Sequence, residues 1–294
     1  MVKGKKRVLI TGTGGFVGDR LCEYLKTETD WDICGTSRSN GKNVDQIVNL
    51  TRKEEVDELK SLFPVDSIIH TAAIARTDEC QKNRELCYNT NVVSTKNLLS
   101  AFGSVKFVLF STYAVYNTIE GNCGEFDPVS PTNYYIETKL LSEQLTSAHS
   151  DSIIFRPSVI FGYTTIDRAS KNYFMQLVDN IRNQRVMKSP VDQSFNPVHV
   201  DVICEIIRLA ITHDIKGIFN IGSNESISKF EFNKKIMKRF GFDEKYLTGI
   251  LSQSLEVLRP NNGTVSSRAI QTALNYTIPS LDEMIERLHA SMKD

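Results

Sequence analysis

The stretch "LITGTGGFVG", Leu9 to Gly18, decides how the chain reads. It sets Gly12, Gly15 and Gly18 three apart, with Gly14 added, directly after an apolar run. A glycine at a strand exit permits a tight turn, a second lets the backbone approach a pyrophosphate, and a third lets the next helix pack closely on the sheet. Val17, Leu21, Tyr24 and Leu25 follow with helical spacing. The amino terminus of that helix would point free N–H groups and the positive dipole end at the phosphates. We therefore read Gly12, Thr13, Gly14, Gly15, Phe16, Val17 and Gly18 as a dinucleotide cradle, because the glycines sit between a strand and a helix.

Outward from this turn, further apolar runs occur at 31–37, 66–70, 106–110, 152–155 and 217–221, after the first at 6–10. They are dense in Val, Ile and Phe without polar alternation, as in strands buried on both faces. Helical patterns lie between them, notably over 83–102 and 133–148, and return at 201–213, 228–241 and 280–292. This alternation predicts an α/β fold, a Rossmann-type doubly wound parallel sheet. Residues 1–158 read as the nucleotide-binding core, rejoined by about 200–221. Residues 159–199, of which 162–199 carry few strand signals, and 222–294 read as a smaller carboxyl-terminal lobe. Ligands in such sheets sit beyond the carboxyl ends of the strands, so the cleft is expected between core and lobe.

The end of the second strand distinguishes the cofactors. An acidic residue there would bind a ribose 2′-hydroxyl. The chain has Thr36, Ser37, Arg38 and Ser39 instead. Ser37 and Arg38 suit a 2′-phosphate, which favours NADP(H) over NAD(H).

Composition limits the remaining readings. The 294 residues carry 35 basic and 35 acidic side chains, a formal net charge of zero. That balance argues against a nucleic-acid binder. No apolar run approaches the ~18 residues of a membrane span. Cys22, Cys34, Cys80, Cys87, Cys123 and Cys204 form no C-x-x-C pair and no metal-like spacing, so they read as scattered reduced thiols of a cytoplasmic protein with no metal site. His70 and His199 read as structural.

The chemistry is expected in "FSTYAVY" (110–116) and "NYYIETKLLSEQ" (133–144). Tyr135 and Lys139 stand one helical turn apart. An ammonium beside a phenol would lower the phenol's pKa and fit it to exchange a proton with a substrate oxygen. Tyr134 competes, but its partner at the same spacing is Thr138, which carries no charge.

The set "TGTGGFVG", "HTAA" (70–73), "STYAVY", "YIETK" and "RPSVIFG" (156–162) resembles the extended short-chain dehydrogenase/reductase superfamily, across nearly the whole chain and in order. Within it the chain is most similar to the dTDP-4-dehydrorhamnose reductase-like branch, through "LRPNNGTVSSRA" and the closing "LNYTIPSLDEMIERL". The resemblance implies that Thr112 bonds the substrate carbonyl, Tyr135 protonates the new alkoxide, and Lys139 holds the nicotinamide ribose and tunes Tyr135. It implies cofactor contacts from Asn49, Leu50, Thr71, Ala72, Ala73, Asn91, Ser111 and Pro157. It also implies substrate contacts from Thr112, Tyr113, Arg168 and Arg259. Lys171, Arg182 and Arg185 are further basic residues that could clamp a diphosphate. The implied reaction is NADPH-dependent reduction of a nucleotide-linked 4-keto-6-deoxy sugar. A 4-epimerase and a non-catalytic regulatory subunit, like that of methionine adenosyltransferase, are the competing readings. A homodimer through 83–102 and 133–148 is a family expectation.

Two departures narrow the reaction. The superfamily's dehydratases place Asp-Glu after the threonine, and its GDP-fucose epimerase-reductases place a cysteine at position 114. Here Tyr113 and Ala114 stand there. The resembling branch usually has aspartate at 113 and serine and Leu-Asp where Gly263 and Val265-Ser266 occur, departures that leave the sugar itself open and do not touch Thr112, Tyr135 and Lys139.

Overall fold

The computed structural model describes residues 4–117, 120–165, 172–254 and 262–292. The chain opens with β1 (Arg7–Thr11), α1 (Phe16–Glu28), β2 (Asp32–Ser37), β3 (Gln46–Ile47), α2 (Lys53–Leu62) and β4 (Ser67–His70). Then come α3 (Thr77–Lys82), α4 (Arg84–Tyr88), a π-helical turn at Asn89–Val93, α5 (Ser94–Phe102), β5 (Lys106–Phe110), α6 (Tyr134–Ser147) and β6 (Ser152–Pro157). Four short strands follow, β7 (Ile160–Phe161), β8 (Met187–Pro190), β9 (Ser194–Phe195) and β10 (Val198–His199), with α7 (Tyr173–Arg182) between β7 and β8. After α8 (Val200–Thr212), β11 (Gly217–Ile221) returns to the main sheet. The remaining elements are β12 (Ile227–Ser228), α9 (Lys229–Phe240), β13 (Leu247–Ile250), β14 (Asn262–Gly263), α10 (Arg268–Leu274) and α11 (Leu281–Ala290).

The main sheet runs β11-β6-β5-β4-β1-β2-β3, with every neighbouring pair parallel. β4 and β5 are buried along their whole length, around the apolar runs Ile68–Ile69 and Phe107–Phe110. One face buries Leu21 and Leu25 of α1, Ile203 and Ile207 of α8 and Leu288 of α11. The other buries Val56 and Leu59 of α2 with Leu98 and Phe102 of α5. Strand order reverses between β1 and β4, and there the carboxyl ends open a crevice. The expectation of few strands over 162–199 needs correction. β8, β9 and β10 lie there, and pair with β13, with β12 and β14, and with β7. Strands of two to four residues carry too little periodicity to register in sequence.

Among the described residues no helix is long and apolar enough to cross a membrane. The reading of all six cysteines as reduced thiols is corrected as well: Cys80 and Cys87 form a disulfide, their Cα atoms 5.0 Å apart. α3 ends and α4 begins at Asn83, and this break folds the two short helices back on each other. Cys22, Cys34, Cys123 and Cys204 remain free and buried.

Candidate active site

The glycine turn sits at the carboxyl end of β1. Gly12 has φ +81°, and a Cβ there would stand 2.6 Å from the backbone nitrogen of Ala72, so the turn and the "HTAA" segment touch backbone to backbone. A Cβ at Gly14 would meet Ser37 Oγ at 2.6 Å, and one at Gly18 would meet Thr71 Oγ1 at 2.7 Å. Gly15 caps α1 without a side-chain hydrogen bond, leaving the first-turn N–H groups for a ligand. Thr13 is buried, with its hydroxyl donating to the Thr36 carbonyl at 3.3 Å. Phe16 and Val17, half-buried, begin α1, and the Phe16 ring lies against Gly162.

Two buried hydroxyls at these strand ends, Thr36 Oγ1 on β2 and Ser111 Oγ just beyond β5, have no hydrogen-bond partner among the described residues. Buried polar atoms are ordinarily satisfied, so these fit a bound polar group. Arg38 is exposed just past β2, next to Ser37. A glycine cradle, an uncapped helix terminus and orphaned hydroxyls at β2 and just beyond β5, on the same sheet, fit a dinucleotide. Thr71 is tied by its hydroxyl to the Thr11 carbonyl at 2.6 Å, and Ala72 and Ala73 continue half-buried beside the cradle. Leu50 is buried, and Pro157 ends β6. Asn49 is committed locally: its Oδ1 accepts from the Thr51 nitrogen and hydroxyl at 3.2 and 2.8 Å.

The side chains expected to carry the chemistry gather at the end of β5. Thr112 caps the 3-10 turn Tyr113–Val115, its hydroxyl accepting from the Ala114 nitrogen at 3.2 Å. The Thr112 side chain stands close enough to the phenol of Tyr135 to pull its pKa down against burial. Asn133 sets the start of α6, its Oδ1 accepting from the Ile136 nitrogen at 3.1 Å. That start separates the two neighbouring tyrosines. Tyr134 lies under the Arg84 guanidinium, 4.9 Å from its ring centre, while Tyr135 turns to Thr112.

The protonation pattern differs from the sequence expectation. Burial pushes the Tyr135 phenol up to about 12. Burial also pushes the Lys139 ammonium down to about 8, against the opposing pull of Glu143. Lys139 Nζ donates to the Phe110 carbonyl. In this arrangement Lys139 therefore does not lower Tyr135, and desolvation dominates both groups.

Asn91, 2% exposed, supports the site from the π-helical turn. It accepts from the Ile74 nitrogen at 2.8 Å and donates to the Ile74 carbonyl at 3.2 Å and to Thr138 Oγ1 at 2.9 Å. Thr138 thus ties α6 to the segment after β4. His70 is buried between Thr11 Oγ1 at 2.7 Å and Ser94 Oγ at 3.4 Å. Arg168, Lys171 and Arg259 lie outside the described residues. Arg182 is exposed at the end of α7. Arg185 is exposed and paired with Asp179, so its charge is already matched on the surface.

Sequence reading missed two features. Glu143, one turn beyond Lys139, is buried and pairs with Arg156, with Nη2 to Oε2 at 2.6 Å. An acid four residues after a candidate lysine was the available signal. The second is Gly263, against which the Tyr113 ring packs. No local pattern encodes that contact.

A Rossmann-type sheet with a glycine cradle at the carboxyl end of β1 defines the class of dinucleotide-binding α/β proteins. Comparison narrows the class. The model of the RmlD substrate binding domain matches residues 6–293, and the chain belongs to that family. The spore coat polysaccharide biosynthesis protein SpsK of Bacillus subtilis is 25% identical over 277 residues, 91% of each chain. The methionine adenosyltransferase 2 subunit beta of Rattus norvegicus is 26% identical over 279 residues, 91% of this chain and 82% of that one. The dTDP-4-dehydrorhamnose reductase of Bacillus anthracis, solved in complex with NADP, superposes with a TM-score of 0.86 at 24% identity, covering 98% of this chain and 100% of that one.

Proposed function

We propose that this chain is an NADPH-dependent ketoreductase acting on the 4-keto group of a nucleotide-linked 4-keto-6-deoxy sugar. The observation that carries the reading is the meeting of Thr112, just past the carboxyl end of β5, with the Tyr135 phenol, with Lys139 one turn along α6. NADPH, when bound in the glycine cradle, supplies the hydride. Thr112 and Tyr135 orient the substrate carbonyl by two hydrogen bonds. Tyr135, kept protonated by its burial, donates its phenolic proton to the oxygen as negative charge develops. Lys139, whose ammonium donates to the Phe110 carbonyl in the free protein, would hold the cofactor ribose. The family membership and the polysaccharide-synthesis relative support a sugar-nucleotide substrate, and the NADP-bound reductase of the same fold supports the cofactor. Arg38 and Ser37 are the residues we assign to the 2′-phosphate.

The test is to follow the near-ultraviolet absorbance of NADPH with a panel of nucleotide 4-keto sugars. Loss of absorbance that Tyr135→Phe abolishes is the expected result. The relatedness to the methionine adenosyltransferase subunit carries a second reading, a non-catalytic NADP-binding regulatory subunit. Tight NADPH binding without turnover of any ketose would favour it. A nicotinamide cofactor that copurifies and is never exchanged would favour an epimerase.

A further inference from the structure

Tyr113 occupies a position that the reaction itself does not explain. It follows Thr112 directly and opens the 3-10 turn. Its ring and that of Tyr135 pack against the same buried cluster beside the site. The ring also lies on Gly263: a Cβ there would stand 2.6 Å from Tyr113 Cε2 and 3.3 Å from Cδ2. No side chain fits at 263 without displacing the ring. Gly263 belongs to β14, which pairs with β9 outside the main sheet. Tyr113 therefore spans from the catalytic strand end to the second group of strands. It packs against the buried cluster of Val115, Tyr116, Cys123, Ile136 and Val265 and stays half-buried.

We propose that Tyr113 is the specificity-determining residue of the sugar site, an aromatic wall braced on Gly263 that selects a methyl over a hydroxymethyl group at C5 of the substrate. The proposal rests on the ketoreductase reading. On that reading the carbonyl carbon held by Thr112 and Tyr135 is C4, and the wall beside Thr112 is assigned to the substituent on the adjacent C5. An aromatic wall gains contact with a methyl group, whereas a hydroxyl pressed on it loses water without gaining a partner. Apolar surfaces of this kind discriminate by roughly tenfold to a hundredfold.

The experiment compares kcat/KM for two substrates with the same nucleotide, a 4-keto-6-deoxyhexose and a 4-keto-hexose that retains its 6-hydroxyl. The enzymes are wild type, Tyr113→Phe, Tyr113→Ala and Gly263→Ala, with NADPH affinity by fluorescence as the check on folding. Wild type and Tyr113→Phe should prefer the deoxy sugar by about tenfold or more. Tyr113→Ala should bring the two within about twofold, through a higher KM for the deoxy sugar. Unchanged preference in Tyr113→Ala, or no preference in wild type, overturns the proposal, as does a preference lost in Tyr113→Phe, which would put selection on the hydroxyl. If Tyr113→Ala fails to bind NADPH, Gly263→Ala decides: a reduced preference supports the wall and an unchanged one overturns it. Wild type that reduces neither compound removes the ketoreductase reading and this proposal with it, whereas an active enzyme with an insensitive ratio removes the proposal alone.

Discussion

Lys139 directs its ammonium to the carbonyl of Phe110, the last residue of β5, and not to the phenol of Tyr135 one turn earlier on the same helix. The lysine is 5% exposed and pushed down to about 8 by burial. A charged group held this way opposes folding of the free protein, and its place in the sequence makes sense only if a ligand or a reaction uses it. Removing it should therefore separate stability from function. Between pH 8 and the ordinary lysine value the unfolded chain binds the extra proton, so this group's contribution to stability rises with pH across that window. Lys139→Met should stabilise the free protein at pH 7 by about 1–3 kcal/mol, the gain shrinking toward pH 10, while NADPH-dependent turnover falls by about a hundredfold or more. Urea unfolding at the two pH values checks the first part. A destabilised variant at pH 7 would show that the Phe110 bond outweighs desolvation.

The backbone contact between Gly12 and Ala72 makes a second prediction. Gly12 combines a left-handed φ of +81° with a neighbouring backbone nitrogen 2.6 Å from where a Cβ would go. A flexible side chain could yield, but a peptide group in the next strand exit cannot. Gly12→Ala should cost at least about 2 kcal/mol and abolish dinucleotide binding. Denaturation and NADPH fluorescence read the two effects separately. An alanine variant that binds NADPH normally would mean that the cradle does not depend on this turn.

The buried histidines predict the acid limb of stability. Burial holds His70 down to about 3 and His199 down to about 4, against 6.5 for an unperturbed group. Below pH 6.5 the unfolded chain takes up protons that the folded one refuses, so stability is complete above that pH and is lost as pH falls toward 4. Each histidine should add up to roughly 1.4 kcal/mol per pH unit to the slope. His199→Asn should flatten the loss between pH 6.5 and 4.5, measured by urea midpoints. An unaltered slope would assign the acid limb to carboxylates.

The sequence was most legible where local patterns carry the physics. The run "KFVLF" is β5 to the residue, "GIFNI" is β11, and the helix read at 133–148 is α6 with one residue trimmed at each end. Buried parallel strands and capped helices write themselves into adjacent residues. The clustering of Thr112 with Tyr135 was legible too, through family motifs. What was not legible depends on side-chain direction or on distant chain segments. Lys139 was placed on the correct helix, but nothing in its spacing says that its ammonium reaches Phe110. Cys80 and Cys87 are 7 residues apart, and only the break at Asn83 brings them together. β3 is two exposed residues with no core face to impose a pattern. The contact of Tyr113 with Gly263 joins two ends of the chain whose meeting is decided by the whole fold.

The Glu143–Arg156 pair gives the sharpest stability test. The guanidinium donates to the carboxylate twice, at 3.0 and 2.6 Å, with the side chains 6% and 5% exposed. Arg156 Nη1 also donates to Tyr116 Oη at 2.7 Å and to the Glu125 carbonyl at 3.1 Å, and Tyr116 in turn donates to Asn220 Oδ1 at 3.0 Å. One cation therefore ties α6, β6 and β11 to the loop before α6. Glu143→Gln leaves that cation buried without its counter-charge, which should cost about 3–5 kcal/mol. Replacing both members, Glu143→Leu with Arg156→Met, removes the unpaired charge and should cost less than Glu143→Gln alone, although Tyr116 and the Glu125 carbonyl then lose a donor. Urea unfolding of the two variants separates a charge penalty from a packing penalty. If the double replacement is the worse of the two, the network is held by its hydrogen bonds to Tyr116 and Glu125 more than by the ion pair, and α6 takes its register from the loop.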